Sequence, residues 1–239
     1  MARYALADHV FVCLNGEHLV LLDLKEDRYW ALEAAHTAGL GALVDGWPVR
    51  SCDDAPTADP PSPETAAAIE LLQGRGLLTQ GIPPGKVATP VTASVPMREL
   101  SSETDTSAGA RSGSWLKFLM ASAVAKFTLR IWPFERVIRR VKRRKELLGP
   151  DASPLDAQRA AKLLEAFAHY RVFLFSSKDE CLYDSLALLE YLARHGIYPD
   201  WVFAVQTRPF AAHCWVQYGE IVFNDTVEHV SGYTPIMVV

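Results

Sequence analysis

From Leu182 to Leu192 the chain reads Leu-Tyr-Asp-Ser-Leu-Ala-Leu-Leu-Glu-Tyr-Leu, which is apolar on nearly all sides of a helix. A helix of that kind cannot lie on a surface, so other elements must bury it. Its ends are signalled. Ser177 and Glu180 have capping-box spacing just before the apolar run. Gly196 follows His195 as a stop, and Pro199 comes shortly after. Cys181 therefore falls in the first turn, where unpaired backbone N–H groups and the helix dipole favour a thiolate. Asp179 and Glu180 oppose that effect, so position alone does not lower the thiol pKa.

The sequence after this helix reads as strands. Trp201–Gln206 is rich in β-formers and follows Pro199. His213–Gln217 and Ile221–Asp225 flank Gly219, a natural hairpin turn. With the turn centred on Gly219, His213 and Asp225 face each other with Cβ atoms about 5 Å apart. Alternation then puts His213, Trp215 and Gln217 on one face with Ile221, Phe223 and Asp225, and Cys214 on the other. A thiol, an imidazole and a carboxylate are the parts of a thiol hydrolase: nucleophile, proton carrier and orienting group. The bland alternative makes Cys181 a small buried hydrophobe and His213 a satisfied core residue. The His213–Asp225 register favours the first reading. The backbone N–H of Cys181, with Gln206 as a second candidate, would supply an oxyanion hole.

Cys181-Leu-Tyr-Asp-Ser-Leu-Ala-Leu, Pro209-Phe-Ala-Ala-His213-Cys-Trp-Val and Asn224-Asp225 resemble the transglutaminase-like cysteine protease of lasso peptide biosynthesis. Ala is the more usual residue where this chain has Cys214. The resemblance implies a Cys181–His213–Asp225 triad and a leader peptidase. It also implies an asparagine-synthetase-like cyclase as partner, which would close a macrolactam with the released amine. Any ATP requirement then belongs to that partner or to the complex, and no cofactor is expected in this chain.

Near the start, Val10–Leu14, Leu19–Leu24 and Tyr29–Leu32 read as three short strands, with Asn15-Gly16 marking the first turn. Ala34–Val44 reads as a helix of small residues. Ser62-Pro63-Glu64 opens another, with Pro at the first helical position. The pattern Leu-Leu-Asp-Leu-x-x-x-x-Tyr-x-x-Leu, then two helices and Gly-Leu-Leu, resembles the leader-recognition domain similar to pyrroloquinoline-quinone biosynthesis chaperones. That resemblance covers about residues 6–80 and implies a small winged-helix-like fold that takes a peptide by strand addition. The implied binding residues are Tyr29, Trp30, Ala31 and Leu32 on the third strand, and Ile69 and Leu72 on the helix. Helical apolar spacing makes Ile69 and Leu72 equally readable as plain core.

Gly81–Ser114 is rich in Pro, Gly, Ser and Thr and reads as a linker. Trp115–Trp132 and Leu155–His169 read as helices. Arg136–Lys145 is a dense basic run around Val137, Ile138 and Val141. It is either a solvated helix face or a docking site for an acidic partner or a membrane surface. Arg171–Phe175 is a short strand or a helix end.

Net charge is −4, and no aromatics interleave the basic run, so no nucleic-acid partner is expected. Cysteines 13, 52, 181 and 214 form no CxxC pair and no disulfide framework. No phosphate-binding Gly-x-x-x-x-Gly-Lys motif occurs, and His169, His195, His213 and His229 lack ligand spacing, so no metal is expected. No apolar run is long enough for a signal peptide or a membrane span, and the expected compartment is the cytoplasm.

The expected fold class is α+β. Residues 1–82 form a winged-helix-like leader-recognition domain with three strands and about three helices. Residues 83–113 form a flexible linker. Residues 114–239 form a transglutaminase/papain-like protease domain with helices packed on an antiparallel sheet. The function expected is a leader peptidase that binds a precursor peptide and cuts it through a thioester. The rivals are an acyltransferase of the same fold and a non-catalytic adaptor that delivers precursor.

Overall fold

The computed structural model describes residues 4–33, 37–49, 61–81, 85–100, 114–148, 155–172 and 181–239. In chain order these form β1 (Ala5–Leu6), β2 (Val10–Asn15), β3 (His18–Asp23) and β4 (Arg28–Glu33). A 3-10 helix (Ala38–Ala42), α1 (Pro63–Gly74), β5 (Leu78–Thr79) and β6 (Arg98–Glu99) follow. Then come α2 (Ser114–Ile131), α3 (Phe134–Leu148), α4 (Ala157–Arg171) and α5 (Cys181–Ala193). The chain ends with β7 (Asp200–Thr207), β8 (Phe210–Tyr218), β9 (Ile221–Val222), α6 (Val227–Val230) and β10 (Thr234–Val238). Strand orders are β1-β5, β2-β3-β4 and β10-β7-β8-β9-β6. The fold is α+β, as expected. Among the described residues no helix is long and apolar enough to cross a membrane.

Contacts divide the chain into two compact units that interleave in sequence. The first takes Met1–Ala93, Ala204–Ala212 and Thr234–Val238; the second takes Ser94–Phe203, His213–Tyr233 and Val239.

In the first unit, the antiparallel meander β2-β3-β4 pairs Asn15 with His18 and Asp23 with Arg28. Gly16 sits at φ 61°, in the left-handed region that a two-residue hairpin turn demands. β3 is the central strand and is almost wholly buried; β4 is an edge that pairs with β3 alone among the described strands. Helix α1 starts as its sequence dictates: Thr65 N–H donates to the Ser62 side chain at 3.2 Å, with Pro63 at the first position. Its Ile69 and Leu72 join Leu6, Val10, Leu19, Leu21, Leu40 and Leu77 in one core. Of the expected helix over Ala34–Val44, residues 34–36 lie outside the described residues, Thr37 is helical and Ala38–Ala42 form the 3-10 helix. A Cβ on Gly39 would meet Thr65 Oγ1 at 2.1 Å, so this turn packs backbone to helix.

Within the expected linker, residues 85–100 are mostly without secondary structure but pair at a few points. Lys86 and Leu6 exchange backbone hydrogen bonds of 2.7 and 2.9 Å, and Ala88 N–H donates to Asp45 O. Pro-rich chain can still pack when it runs extended, because an edge pairing needs only every other backbone group. In the second unit, Arg98 and Glu99 pair in parallel with Ile221 and Val222.

The second unit is built around α5. Ser185 through Leu192 are all buried, as an all-round apolar helix requires. Phe118 of α2, Phe167 of α4 and Tyr191 of α5 form an aromatic cluster, with Phe118–Phe167 centroids 5.4 Å apart in edge geometry. Glu190 is 1% exposed inside this helix. Arg140 and Arg144 of α3 and Arg194, just past the end of α5, all bond its carboxylate. Burial pushes the Glu190 pKa up, and the arginines outweigh it, so the carboxyl stays below its usual range. Lys145 bonds Asp200 and the Val239 carbonyl. Much of the basic run is thus internal wiring: Val137, Ile138 and Val141 face inward and Arg140, Arg144 and Lys145 are spent on partners.

Candidate active site

Cys181 is the first residue of α5, while His213 and Cys214 are neighbours on β8. Asp225 lies just past β9, before α6. The Ser177–Glu180 capping box and most of Arg171–Phe175 lie outside the described residues. All three expected catalytic side chains come together. His213 Nε2 and Asp225 Oδ2 are 2.5 Å apart, each side chain 14% exposed. With Nε2 taken, Nδ1 is the nitrogen left for a thiol, and His213 and Cys181 shift each other's pKa as neighbouring groups. The rings of Trp215, Tyr233 and His229 lie 6.0, 5.3 and 4.8 Å from the His213 ring and fix its plane.

The electrostatics make an ion pair of thiol and imidazole. A hydrogen bond from the Cys214 thiol is the largest influence on Cys181. Burial opposes it; the hydrogen bond and charge of His213 and the backbone N–H of Cys214 add to it, and the thiol falls to about 4. For His213, burial pushes the pKa down, but the bonds to Asp225 and Cys181 and their charges carry it up to about 9. Between those values the resting pair is thiolate and imidazolium. Burial raises the Asp225 pKa, but His213, His229 and the Thr226 N–H outweigh it and hold it low. Cys214 is pushed well above the usual thiol range by burial and then by the Cys181 charge, so it stays a thiol.

The expected hairpin register is off by one. Gln217 pairs with Val222 and Tyr218 with Ile221, so the turn is Gly219-Glu220 rather than a turn centred on Gly219. Two-residue hairpin turns match strand twist, and Gly219 supplies the positive φ of 56°. Extended further, that register would put Asp225 opposite Cys214. The ladder stops instead. Phe223 N–H still bonds Val216 O, but Val216 N–H donates to the Asn224 side-chain Oδ1 at 2.8 Å. Asn224 Nδ2 in turn donates to Asp184, which pairs with Arg171. Asp225 leaves the pleat, and its carboxylate turns to His213.

Three participants escaped the sequence reading. His229 Nδ1 lies 2.9 Å from Asp225 Oδ1; the signal was Thr226 capping a short helix that carries His229 four residues after Asp225. Asn224 and Cys214 are the others. His213, Asp225 and His229 put three possible ligand atoms within 4.8 Å, a spacing a metal could bridge. Here those atoms are satisfied by one another as hydrogen bonds.

Of the expected peptide-binding residues, Tyr29, Trp30, Ala31 and Leu32 lie on the edge strand β4, with Ala31 exposed. The Arg75 guanidinium stacks over the Trp30 ring at 3.9 Å. Ile69 and Leu72 are corrected: at 7% and 1% exposure they are core, not groove wall. Helical spacing reports the buried face and cannot tell a core from a groove.

Residues 121–238 match the family model of the Transglutaminase-like superfamily. No curated protein and no solved structure gives a significant match to the chain.

Proposed function

We propose that this chain is a cysteine peptidase that cuts the leader from the core of a lasso peptide precursor. The observation that carries the reading is the half-buried His213, held by Asp225 on one nitrogen and facing a thiol drawn down to about 4 on the other. Cys181 attacks the carbonyl of the leader–core bond. His213, already imidazolium, gives its Nδ1 proton to the departing amine of the core. The leader stays on Cys181 as a thioester. His213 then takes a proton from water, which attacks the thioester and frees the leader. Asp225 keeps the imidazole in place throughout and stabilises its charge. The backbone N–H of Cys181 is our candidate oxyanion donor.

Residues 1–82 take up the leader in this reading. The open edge of β4 supports strand addition, with Tyr29, Trp30, Ala31 and Leu32 supplying the contacts. The freed α-amine of the core passes to an asparagine-synthetase-like cyclase. The reading assigns the chain to the cytoplasm, where Cys13, Cys181 and Cys214 stay as free thiols.

The test is mass spectrometry of the full chain with a synthetic precursor. Cleavage predicts two fragments whose masses sum to precursor plus one water, and none with Cys181→Ala. A leader joined to an added amine without water would make the chain an acyltransferase. Leader binding with no product in the presence of the cyclase would make it an adaptor.

A further inference from the structure

Cys214 makes and breaks no bond in the cleavage; it helps lower the pKa of the nucleophile beside it. Its sulfur is 3.3 Å from Ser185 Oγ, and that hydroxyl donates to the Cys181 carbonyl at 2.6 Å. Ser185 also accepts from Trp201 Nε1 at 2.8 Å, so the hydroxyl is fixed from a third side. The side chain one turn along α5 thus holds Cys214 under the start of the helix. Each of the two thiols shifts the other's pKa, as neighbouring groups do. One thiol is partly exposed and the other is 3% exposed. That is a nucleophilic sulfur with a second sulfur waiting behind it.

We propose that Cys181 and Cys214 form a reversible, peroxide-driven disulfide that switches the site off. Hydrogen peroxide is the oxidant. The Cys181 thiolate attacks one peroxide oxygen: an S–O bond forms, the O–O bond breaks, and hydroxide leaves, taking the imidazolium proton as water. The Cys214 sulfur then attacks the Cys181 sulfur. The S–S bond forms, the S–O bond breaks, and the hydroxide departs with the Cys214 proton as a second water. Two thiols have lost two electrons and one peroxide has gained them. The state of Cys181 supports the first step, because a thiolate rather than a thiol reacts with peroxide. The burial of Cys214 supports the second, since it keeps that sulfur from reacting with peroxide first. A dithiol reductant reverses the bond, whereas a Cys181 without its neighbour climbs on to sulfinic acid and does not return.

The nucleophile is the one named above, but the test does not use its substrate. Reduced full-length chain is treated with hydrogen peroxide and read by intact mass and peptide mapping. The expected result is loss of two hydrogens, a linked Cys181–Cys214 peptide pair, and titratable thiols falling from four to two. Dithiothreitol should restore all four. Cys214→Ser and Cys214→Ala, each checked for folding by circular dichroism, should instead gain two oxygens on Cys181. The proposal is overturned if wild type reaches sulfinic acid as readily as the variants. A link through Cys13 or Cys52 would overturn it equally. If the disulfide forms and reverses but no precursor is cut in either state, the switch stands and the peptidase reading falls.

Discussion

Replacing Asp225 with Asn tests the site most directly, because the two side chains have the same shape and differ in what they offer. The Asp225 carboxylate accepts from His213 at 2.5 Å, from the Thr226 N–H at 2.7 Å, and lies 2.9 Å from His229. An Asn has one acceptor oxygen for these three. With that oxygen on the Thr226 N–H, its NH2 faces His213 Nε2. The ring must then accept at Nε2 and carry its proton at Nδ1, toward the thiol. A neutral imidazole so arranged cannot take the thiol proton. The same tautomer error in serine triads costs about 10⁴ in kcat, or roughly 5.5 kcal/mol, and we expect a loss of that order here. The pH profile should change as well. His213 stands at about 9 because the Asp225 and Cys181 bonds outweigh burial. Without Asp225, only the bond and charge of Cys181 are left to oppose burial, and the imidazolium is lost as pH rises through a lower value. The alkaline limb of single-turnover cleavage should therefore move down from about 9. Single-turnover mass spectrometry across pH, with leader binding measured in parallel by anisotropy, reads both effects. A wild-type rate, or a slow enzyme with its alkaline limb unmoved, would refute the reasoning.

Three further outcomes follow from the same structure. Cys214→Ala removes the largest influence lowering the Cys181 pKa. The thiolate should then be lost at a higher pH as solutions are acidified, visible as an upward shift in pH-dependent alkylation of Cys181. Glu190→Ala leaves Arg140, Arg144 and Arg194 together without their buried carboxylate. Breaking a buried pair in this way costs about 3–5 kcal/mol, measurable by urea denaturation. Ala31→Pro removes an N–H from the β4 edge and should weaken leader binding severalfold in anisotropy without altering thiol reactivity at Cys181; unchanged binding would move the leader site elsewhere.

What the sequence disclosed depended on periodicity. β2, β3 and β4 were legible because β-branched and leucine runs alternate with Gly16 and a polar turn. α1 was legible from Ser62 and Pro63, and α5 from its apolar girth. The site residues were legible as types at telling places. Their geometry was not. The register slipped by one because a glycine marks a turn without saying which of its neighbours shares it. Asp225 reached His213 anyway, by leaving the strand rather than by facing across it. Strand parity placed Cys214 away from His213 but could not say that the start of α5 packs on that side. Nor could it show β10, whose Thr-Pro-Ile-Met-Val carries no alternation. The basic run hid its purpose for a related reason. Glu190 looked like one polar residue in an apolar helix, and only packing shows three arginines converging on it.

The amide of Asn224 has a consequence for how this site can change over generations. It closes the ladder at Val216 with a side chain where a backbone group would normally stand. The carboxylate beyond it is therefore located by one amide and not by counting residues around the hairpin. Lengthening the Gly219-Glu220 turn would leave that clasp intact provided Ile221 and Val222 keep their pairing. Loop closure makes such an insertion cheap, about 0.6 kcal/mol for each doubling of length. The turn answers to other partners, its carbonyls accepting from the Met97 and Arg98 N–H groups and from the Gln217 side chain, while a substitution at Asn224 would act on the end of the ladder beside the carboxylate. Drift in length and drift in identity meet different constraints within five residues of each other.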